Sequence, residues 1–186
     1  MNKLVQKSRV LMLEQTKKND APAWALTEIA VKKGRQLARR YKVREDLVLA
    51  ALYLAHTVFS AKIKGRVQKQ HEQLSARYVE SYLKKWGVSA KDRGVILNAI
   101  EAHHDKVSCA SKVAEVVKNA ECFKFLTLKG ALVLLHDMGR RGLAYDEAMD
   151  FVIYKMKQKL GYLSLPREIR EGRENFRKVL KIITAK

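Results

Sequence analysis

Apolar residues recur at intervals of three and four along most of the chain, which is the spacing of amphipathic α-helices. Strict alternation of apolar and polar residues, the pattern of a half-buried strand, is not found. Two neighbouring segments show the helical pattern most clearly, and each carries a histidine on its apolar stripe. These stripes are Leu74, Tyr78, Tyr82 and Trp86 with His71, and Ile96 and Ile100 with His103.

The pattern predicts an all-α fold with about eight or nine helices. The segment from Leu47 to Phe59 is apolar on nearly every side, which is typical of a buried central helix. Pro22 is expected in the first turn of the second helix, Gly87 at the end of a helix and Ser89 as an N-cap. We predict one domain over residues 1–186, with a short N-terminal helical extension (1–20), a core (22–126) and C-terminal helices packed on it (127–186).

Composition and charge narrow the classes of function. The chain carries a formal net charge of +19, so polyanions such as nucleotides or nucleic acid are expected partners. The longest uncharged apolar run, Leu47 to Ser60, is shorter than the roughly 20 residues needed to cross a bilayer. With no secretory signal pattern at the start, we expect a cytoplasmic protein in which Cys109 and Cys122 are buried thiols, and no membrane partner.

Histidine is the main candidate for chemistry, because it serves both as a metal ligand and as an acid or base near neutral pH. The chain has five histidines. Three lie between residues 71 and 119, namely His71, His103 and His104, and His56 lies just upstream on the central apolar helix. Each could be a ligand, or a hydrogen-bonded histidine of the core. Cys109 is better explained as a small buried residue than as a nucleophile.

Four segments taken in order resemble the HD-domain superfamily of metal-dependent phosphohydrolases, from about residue 22 to residue 180. They are Ala50-Ala-Leu-Tyr-Leu-Ala-His56-Thr57, His71-Glu-Gln-Leu-Ser75, Ala99-Ile-Glu-Ala-His103-His104 and Ala114-Glu-Val-Val-Lys-Asn119-Ala-Glu121. In that family a first histidine, a His-Asp pair and a later aspartate hold a metal that activates water for attack on a phosphoester. The resemblance implies the fold and places the candidate site at these segments.

The chain departs from the family pattern at three ligand positions. No histidine precedes His56, the aspartate of the pair is replaced by Thr57, and the later aspartate is replaced by Asn119. The resemblance therefore implies an eroded centre with Thr57, Asn119 and Glu121 in its pocket. A metal-free polar pocket is the expected state. The alternative is a divalent transition metal (Zn, Mn, Fe or Ni) bound by His56, His71, His103 and His104.

The dipeptide His136-Asp137 is a second match to a His-Asp pair. No histidine follows it, so the later histidine positions of the family could not be filled. We therefore expect His136 and Asp137 to lie near a helix C-terminus without a role in the site.

Three functions follow as hypotheses. The first is an HD-domain-like protein that binds a nucleotide or other phosphate-bearing ligand with weak or no catalysis, using Lys106, Lys112 and Lys118 as phosphate contacts. The second is an active, divergent phosphohydrolase with His71 and His104 as candidate catalytic residues. The third is a basic RNA-associated module that uses the loop over residues 62–66 and the arginines at positions 167, 170, 173 and 177.

Overall fold

The prediction of an all-α fold is confirmed by a computed structural model that describes residues 2–60, 70–104 and 107–184. Within these ranges the chain forms nine α-helices and one short 3-10 helix, and no strand. The helices are α1 (Lys3–Asn19), α2 (Trp24–Arg40), α3 (Glu45–Leu54), α4 (His71–Lys85), α5 (Ala90–Glu101), α6 (Lys112–Phe123), α7 (Leu128–Arg140), α8 (Tyr145–Gly161) and α9 (Pro166–Ile183), with the 3-10 helix at Lys124–Leu126 between α6 and α7.

Side-chain caps set several helix boundaries where the sequence predicts them. The Ser89 hydroxyl accepts a hydrogen bond from the backbone N–H of Asp92 and starts α5. Gly87, which follows the end of α4, has a φ of 74°, a left-handed conformation that favours glycine. The prediction for Pro22 was wrong, because α2 begins at Trp24 and Pro22 lies before its N-cap.

The first helix is longer and more deeply packed than a short extension. Helix α1 lies against α3 and buries Val5, Leu11 and Met12. At its end, the Asn19 side-chain amide donates a hydrogen bond of 3.3 Å to the carbonyl oxygen of Thr57. This helix is therefore part of the core and touches the segment that carries His56.

Two hydrophobic clusters divide the interior. The first is built around α3, on which every residue from Leu47 to Leu54 is buried, and it takes apolar residues from α1, α2, α4, α5 and α6. The second joins the 3-10 helix, α7, α8 and α9 to Leu26 and Cys122. Cys122 is buried as predicted, whereas Cys109 is only half-buried.

A buried group of ion pairs fastens α9 to α2. The fully buried carboxylate of Glu168 lies 2.6 Å from Lys33 and 2.6 Å from Arg40. The Lys33 ammonium also lies 3.6 Å from the centroid of the Phe123 ring. Because both partners of such a pair must be present to offset desolvation, Glu168 fixes how the C-terminal helix lies on the core.

No helix in the parts of the chain that the structure describes is both long enough and apolar enough to cross a membrane.

The close approach of α2 to α3 depends on Gly34. A Cβ at this position would overlap Leu52 Cδ1 and lie 3.3 Å from Val48 Cγ1, and both side chains are buried. We expect Gly34→Ala to lower the free energy of unfolding by about 1–3 kcal/mol, because overpacking outweighs the better helix propensity of alanine. Chemical denaturation measures this change.

Gly94→Ala is the matched control. Gly94 lies within α5, and a Cβ there meets no atom within 4 Å. This variant should raise the free energy of unfolding by about 0.5–1 kcal/mol through helix propensity alone. Equal effects of the two substitutions would contradict the packing explanation.

Candidate metal and ligand-binding site

Four histidines meet where three helices begin or end. His56 lies in the turn after α3, His71 is the first residue of α4, and His103 and His104 follow α5. The ring centroids of His56 and His103 are 4.8 Å apart, those of His71 and His104 are 5.1 Å apart, and those of His103 and His104 are 4.4 Å apart. Residues up to 48 positions apart in the chain are thereby brought into one cluster, which we call the histidine cluster.

The hydrogen bond of His103 fixes its tautomer. His103 Nδ1 lies 2.5 Å from the carbonyl oxygen of Ile100, which can only accept, so Nδ1 carries the proton. The lone pair is therefore on Nε2, a fully buried atom with no hydrogen-bond partner among the described residues. A backbone carbonyl that orients one ring nitrogen while the other stays open is the usual arrangement behind a metal-bound histidine.

Two glutamates contact the rings of His104 and His56. Glu72 Oε1 lies 2.7 Å from His104 Nδ1, and Glu121 Oε2 lies 2.9 Å from His56 Nε2. Glu121 Oε2 also lies 2.5 Å from the Lys124 ammonium. Carboxylates that hydrogen-bond imidazoles in this way orient the rings and raise their basicity toward a metal.

Burial keeps three of the histidines neutral. Desolvation lowers the pKa values of His56 and His104 and takes the pKa of His103 well below its ordinary value. Neighbouring lysines lower the pKa values of His56 and His104 further, and the other histidines do so for His103. Burial alone would raise the pKa of Glu121, but the Lys124 ammonium and His56 hold it well below its usual range. His56, His103 and His104 are thus neutral imidazoles near an ionised carboxylate, as metal binding requires.

The donor geometry is compatible with a metal ion. One donor atom each from His56, His71 and His103 lie within 4.8 Å of one another, and so do one each from His71, Glu72 and His104. Two nitrogens bound to one zinc ion at about 2.0–2.1 Å would lie roughly 3.4 Å apart, so small side-chain adjustments would suffice. His71 belongs to both groups. These buried residues could therefore hold a metal.

A cavity of about 470 Å³ opens beside the histidine cluster and against the second hydrophobic cluster. His56, His71, Glu72 and His104 form part of its wall. The wall also carries apolar residues and a set of basic and aromatic ones, namely Lys124, Arg141, Lys155 and Lys159 with Phe59, Phe125, Phe151 and Tyr162. Asp137 also lines it and pairs with Arg141 at 2.6 Å. The cavity thus joins candidate metal ligands to an excess of basic groups.

Thr57 and Asn119 lie outside this cavity, contrary to the sequence-based prediction. The Thr57 hydroxyl donates to the carbonyl oxygen of Leu54, and the residue is fully buried. Asn119 Oδ1 accepts hydrogen bonds from the backbone N–H groups of Ser164 and Leu165, at 3.1 and 3.2 Å. Both side chains satisfy backbone groups, and Asn119 joins α6 to the segment before α9. Of the predicted pocket residues, only Glu121 reaches the histidine cluster.

Two of the three predicted phosphate contacts, Lys112 and Lys118, are not at the cavity either. Lys112 and Lys118 line a separate surface cleft with Ser164, and Lys112 pairs with Glu115 at 2.7 Å. Both lysines precede Glu121 on α6, and Glu121, near the end of this helix, is the residue that meets the histidines. Lys106 lies outside the described residues, as does the basic loop over residues 62–66.

Of the pair His136-Asp137 near the C-terminus of α7, only His136 lies away from the site as predicted. Exposed His136 lies on another face, next to Trp24 and Leu132, so it takes no part in the histidine cluster. Asp137, however, lines the cavity, although it was expected to have no role in the site. The arginines of α9 at positions 167, 170, 173 and 177 are exposed, and their contact with RNA stays a prediction.

Sequence analysis missed the basic wall of the cavity. On α8, Phe151, Lys155, Lys159 and Tyr162 follow one another at intervals of three and four and line the cavity together. The sequence-based stripe on this helix consisted of apolar residues such as Met156, which lie on a neighbouring face. Lysines on a helix are usually exposed to solvent. The sequence indicated the cavity-lining position of these two lysines only through their spacing from Phe151 and Tyr162.

The neutral state of the buried histidines predicts the pH dependence of stability. The unfolded chain takes up protons below about pH 6.5, whereas folded His56, His103 and His104 resist protonation because their pKa values are lowered. The stability that these neutral histidines contribute is fully present above pH 6.5 and is lost as the pH falls. In metal-free protein, the free energy of unfolding should therefore fall by up to about 1.4 kcal/mol per pH unit for each of them.

Urea denaturation between pH 7.5 and pH 5.5 checks this expectation. His104→Gln keeps a polar side chain and should reduce the slope by the share of one histidine. A free energy of unfolding that does not change over this range would contradict the neutral, desolvated state of the cluster.

Comparison with solved structures supports the architecture. The chain is similar to a protein of Lactobacillus plantarum whose crystal structure was determined as a structural-genomics target, with a TM-score of 0.72 at 12% sequence identity. The similarity covers 98% of this chain and 94% of that chain, and at this identity it shows the fold alone. No family model matches the sequence, and no curated protein matches it. The chain thus shares its all-α, single-domain fold with the Lactobacillus protein over nearly its whole length.

Proposed function

We propose that this is an HD-domain-like protein that binds a phosphate-bearing ligand, such as a nucleotide, in the cavity beside the histidine cluster, with weak or no catalysis. The observation that carries the proposal is that Lys124, Arg141, Lys155 and Lys159 line the same cavity as the candidate metal ligands. Phosphate oxygens would pair with these cations in a partly desolvated space, where charge-assisted hydrogen bonds are strong.

A transition metal fits the histidine cluster by the chemistry of its donors. His103 presents a buried, oriented lone pair, and the rings of His56 and His71 lie within reach of the same point. When bound, such an ion would supply Lewis-acid stabilisation to a phosphoryl oxygen. Glu72 and Glu121 would hold the rings in place, and the basic wall would orient the rest of the ligand.

Phosphoester hydrolysis is the second candidate function. It is favoured by the 2.7 Å contact between His104 Nδ1 and Glu72, because a carboxylate that orients an imidazole is the usual support of a general base. His104 is only partly buried and lines the cavity, so its ring is accessible to a ligand.

Metal binding gives the first test. We expect about one equivalent of zinc to bind, and His71→Ala and His103→Ala to weaken binding by more than about 100-fold, beyond the 10–100-fold typical of a lost outer-shell partner. Competition with a chromogenic chelator measures the affinity, and circular dichroism checks that each variant is folded. His136→Ala is the matched control, because this exposed histidine lies on another face. Equal affinity of all variants, or no binding, would remove the metal from the proposal.

Ligand binding gives the second test. A nucleoside phosphate that binds the cavity should raise the melting temperature, since a ligand at 100 times its Kd adds about 2.7 kcal/mol to the stability of the native state. Lys155→Met should weaken this effect. Lys157→Met should not, because Lys157 is exposed on the opposite face of α8.

Phosphate release, measured on the same samples, separates the two functions. Stabilisation without release supports binding alone, and release that is abolished in His71→Ala supports the hydrolase. If no nucleoside phosphate or simple phosphomonoester stabilises the protein or is hydrolysed, the proposed function fails.

A further inference from the structure

Lys159 stands apart from the other basic residues of the cavity. It lies near the end of α8, its relative exposure is 1%, and it lines the cavity. Its ammonium nitrogen makes no hydrogen bond or ion pair to the chain within the described ranges. Two aromatic rings lie beside it, with Nζ 5.3 Å from the ring centroid of Tyr162 and 5.9 Å from that of Phe125.

The surroundings of Lys159 destabilise its charged form. Burial, first of all, lowers its pKa to about 8, and the nearby Lys155 and Lys124 ammonium groups act in the same direction. Cys122 and Glu121, on α6, act in the opposite direction without cancelling the effect. With a pKa of about 8, Lys159 is mostly protonated at pH 7 but has a minor unprotonated fraction that an ordinary lysine lacks. Desolvation together with neighbouring cations is the recognised way to make a lysine nucleophilic.

We propose that Lys159 binds its ligand covalently, as an imine with an aldehyde or ketone that carries an anionic group. The neutral amine attacks the carbonyl carbon, a C–N bond forms, and a proton passes from nitrogen to oxygen to give a carbinolamine. Loss of the hydroxyl group with a second nitrogen proton, as water, gives the C=N bond. The balance is one amine and one carbonyl to one imine and one water, without an oxidant or a reductant.

The anionic group of the ligand follows from the side chains beside Lys159. Arg141 pairs with Asp137 through Nη2, yet its buried Nε has no hydrogen-bond partner in the described part of the chain. Lys155 Nζ donates to Gln158 Oε1 at 3.0 Å and has no carboxylate partner there, so it keeps further N–H groups for an anion. A phosphate or carboxylate at this wall would satisfy both residues while the carbonyl carbon reaches Lys159.

This inference goes beyond the proposed function and uses none of the histidines. It requires neither a metal nor hydrolysis, and it holds for protein treated with a chelator. Its failure and the failure of the phosphohydrolase-like function are therefore distinguishable.

Pyridoxal phosphate is a suitable probe, because it combines an aldehyde with a phosphate. We would incubate the metal-free protein with one equivalent, reduce the imine with borohydride and locate the modified lysine by peptide mass spectrometry. The expected result is one principal adduct at Lys159. Lys159→Met should lose it, and Lys157→Met, which changes an exposed lysine two residues away, should keep it.

The Lys159→Met variant remains interpretable because it should fold. Methionine fills a similar volume without a buried charge, so the melting temperature of the variant should equal or exceed that of the parent chain. Pyridoxal, which lacks the phosphate, tests the anionic requirement. Its adduct at Lys159 should form about tenfold less readily, the effect expected of lost charge-assisted hydrogen bonds.

Three results would overturn the proposal. Labelling spread over the exposed lysines and unchanged in Lys159→Met would show ordinary surface reactivity. A principal adduct at Lys155 or Lys124 would show that the nucleophile was wrongly assigned. Stabilisation by pyridoxal phosphate without a reducible adduct would show anion binding only.

Discussion

Desolvation of ionisable side chains is the constraint on which the interior of this protein depends. The second hydrophobic cluster borders the cavity, and the groups that line or approach this cavity include histidines, glutamates and lysines. Each must be neutral, paired or exposed to the cavity, because an unpaired charge in such surroundings costs several kcal/mol. His56, His103 and His104 are neutral, Glu121 and Lys124 are paired, and Lys159 faces the cavity with a lowered pKa.

The same constraint separates residues that hold the fold together from residues that can act on a ligand. Glu168 is fully buried, but its contacts with Lys33 and Arg40 use it to fasten α9 to α2. Lys124 is equally buried, and its short contact with Glu121 makes it part of the support of His56. Lys159 lacks such a partner among the described residues. Burial alone therefore does not mark a lysine as functional, and it is the lack of a carboxylate partner among the described cavity residues that sets Lys159 apart.

The periodic spacing of apolar residues explains why the sequence predicts the helices and half of the site. His71 and His103 share a face with apolar residues of their own helices, so their inward direction follows from local spacing. Asn119 also lies beside an apolar stripe, but whether its amide reaches the cavity or the backbone near Ser164 depends on how α6 meets the segment before α9. The lysines of α8 became cavity residues through packing against α7 and the 3-10 helix, and no short-range pattern encodes that contact.

The contact at the end of α1 has a practical consequence for preparing the protein. Asn19 is hydrogen-bonded to Thr57, the residue next to His56, and α1 covers one side of the central helix. A polypeptide trimmed to begin near Pro22 would leave the apolar side chains of α3 in contact with solvent and release the turn that holds the first histidine. Loss of metal affinity in such a shortened chain would therefore report on damage to this support rather than on the ligands themselves.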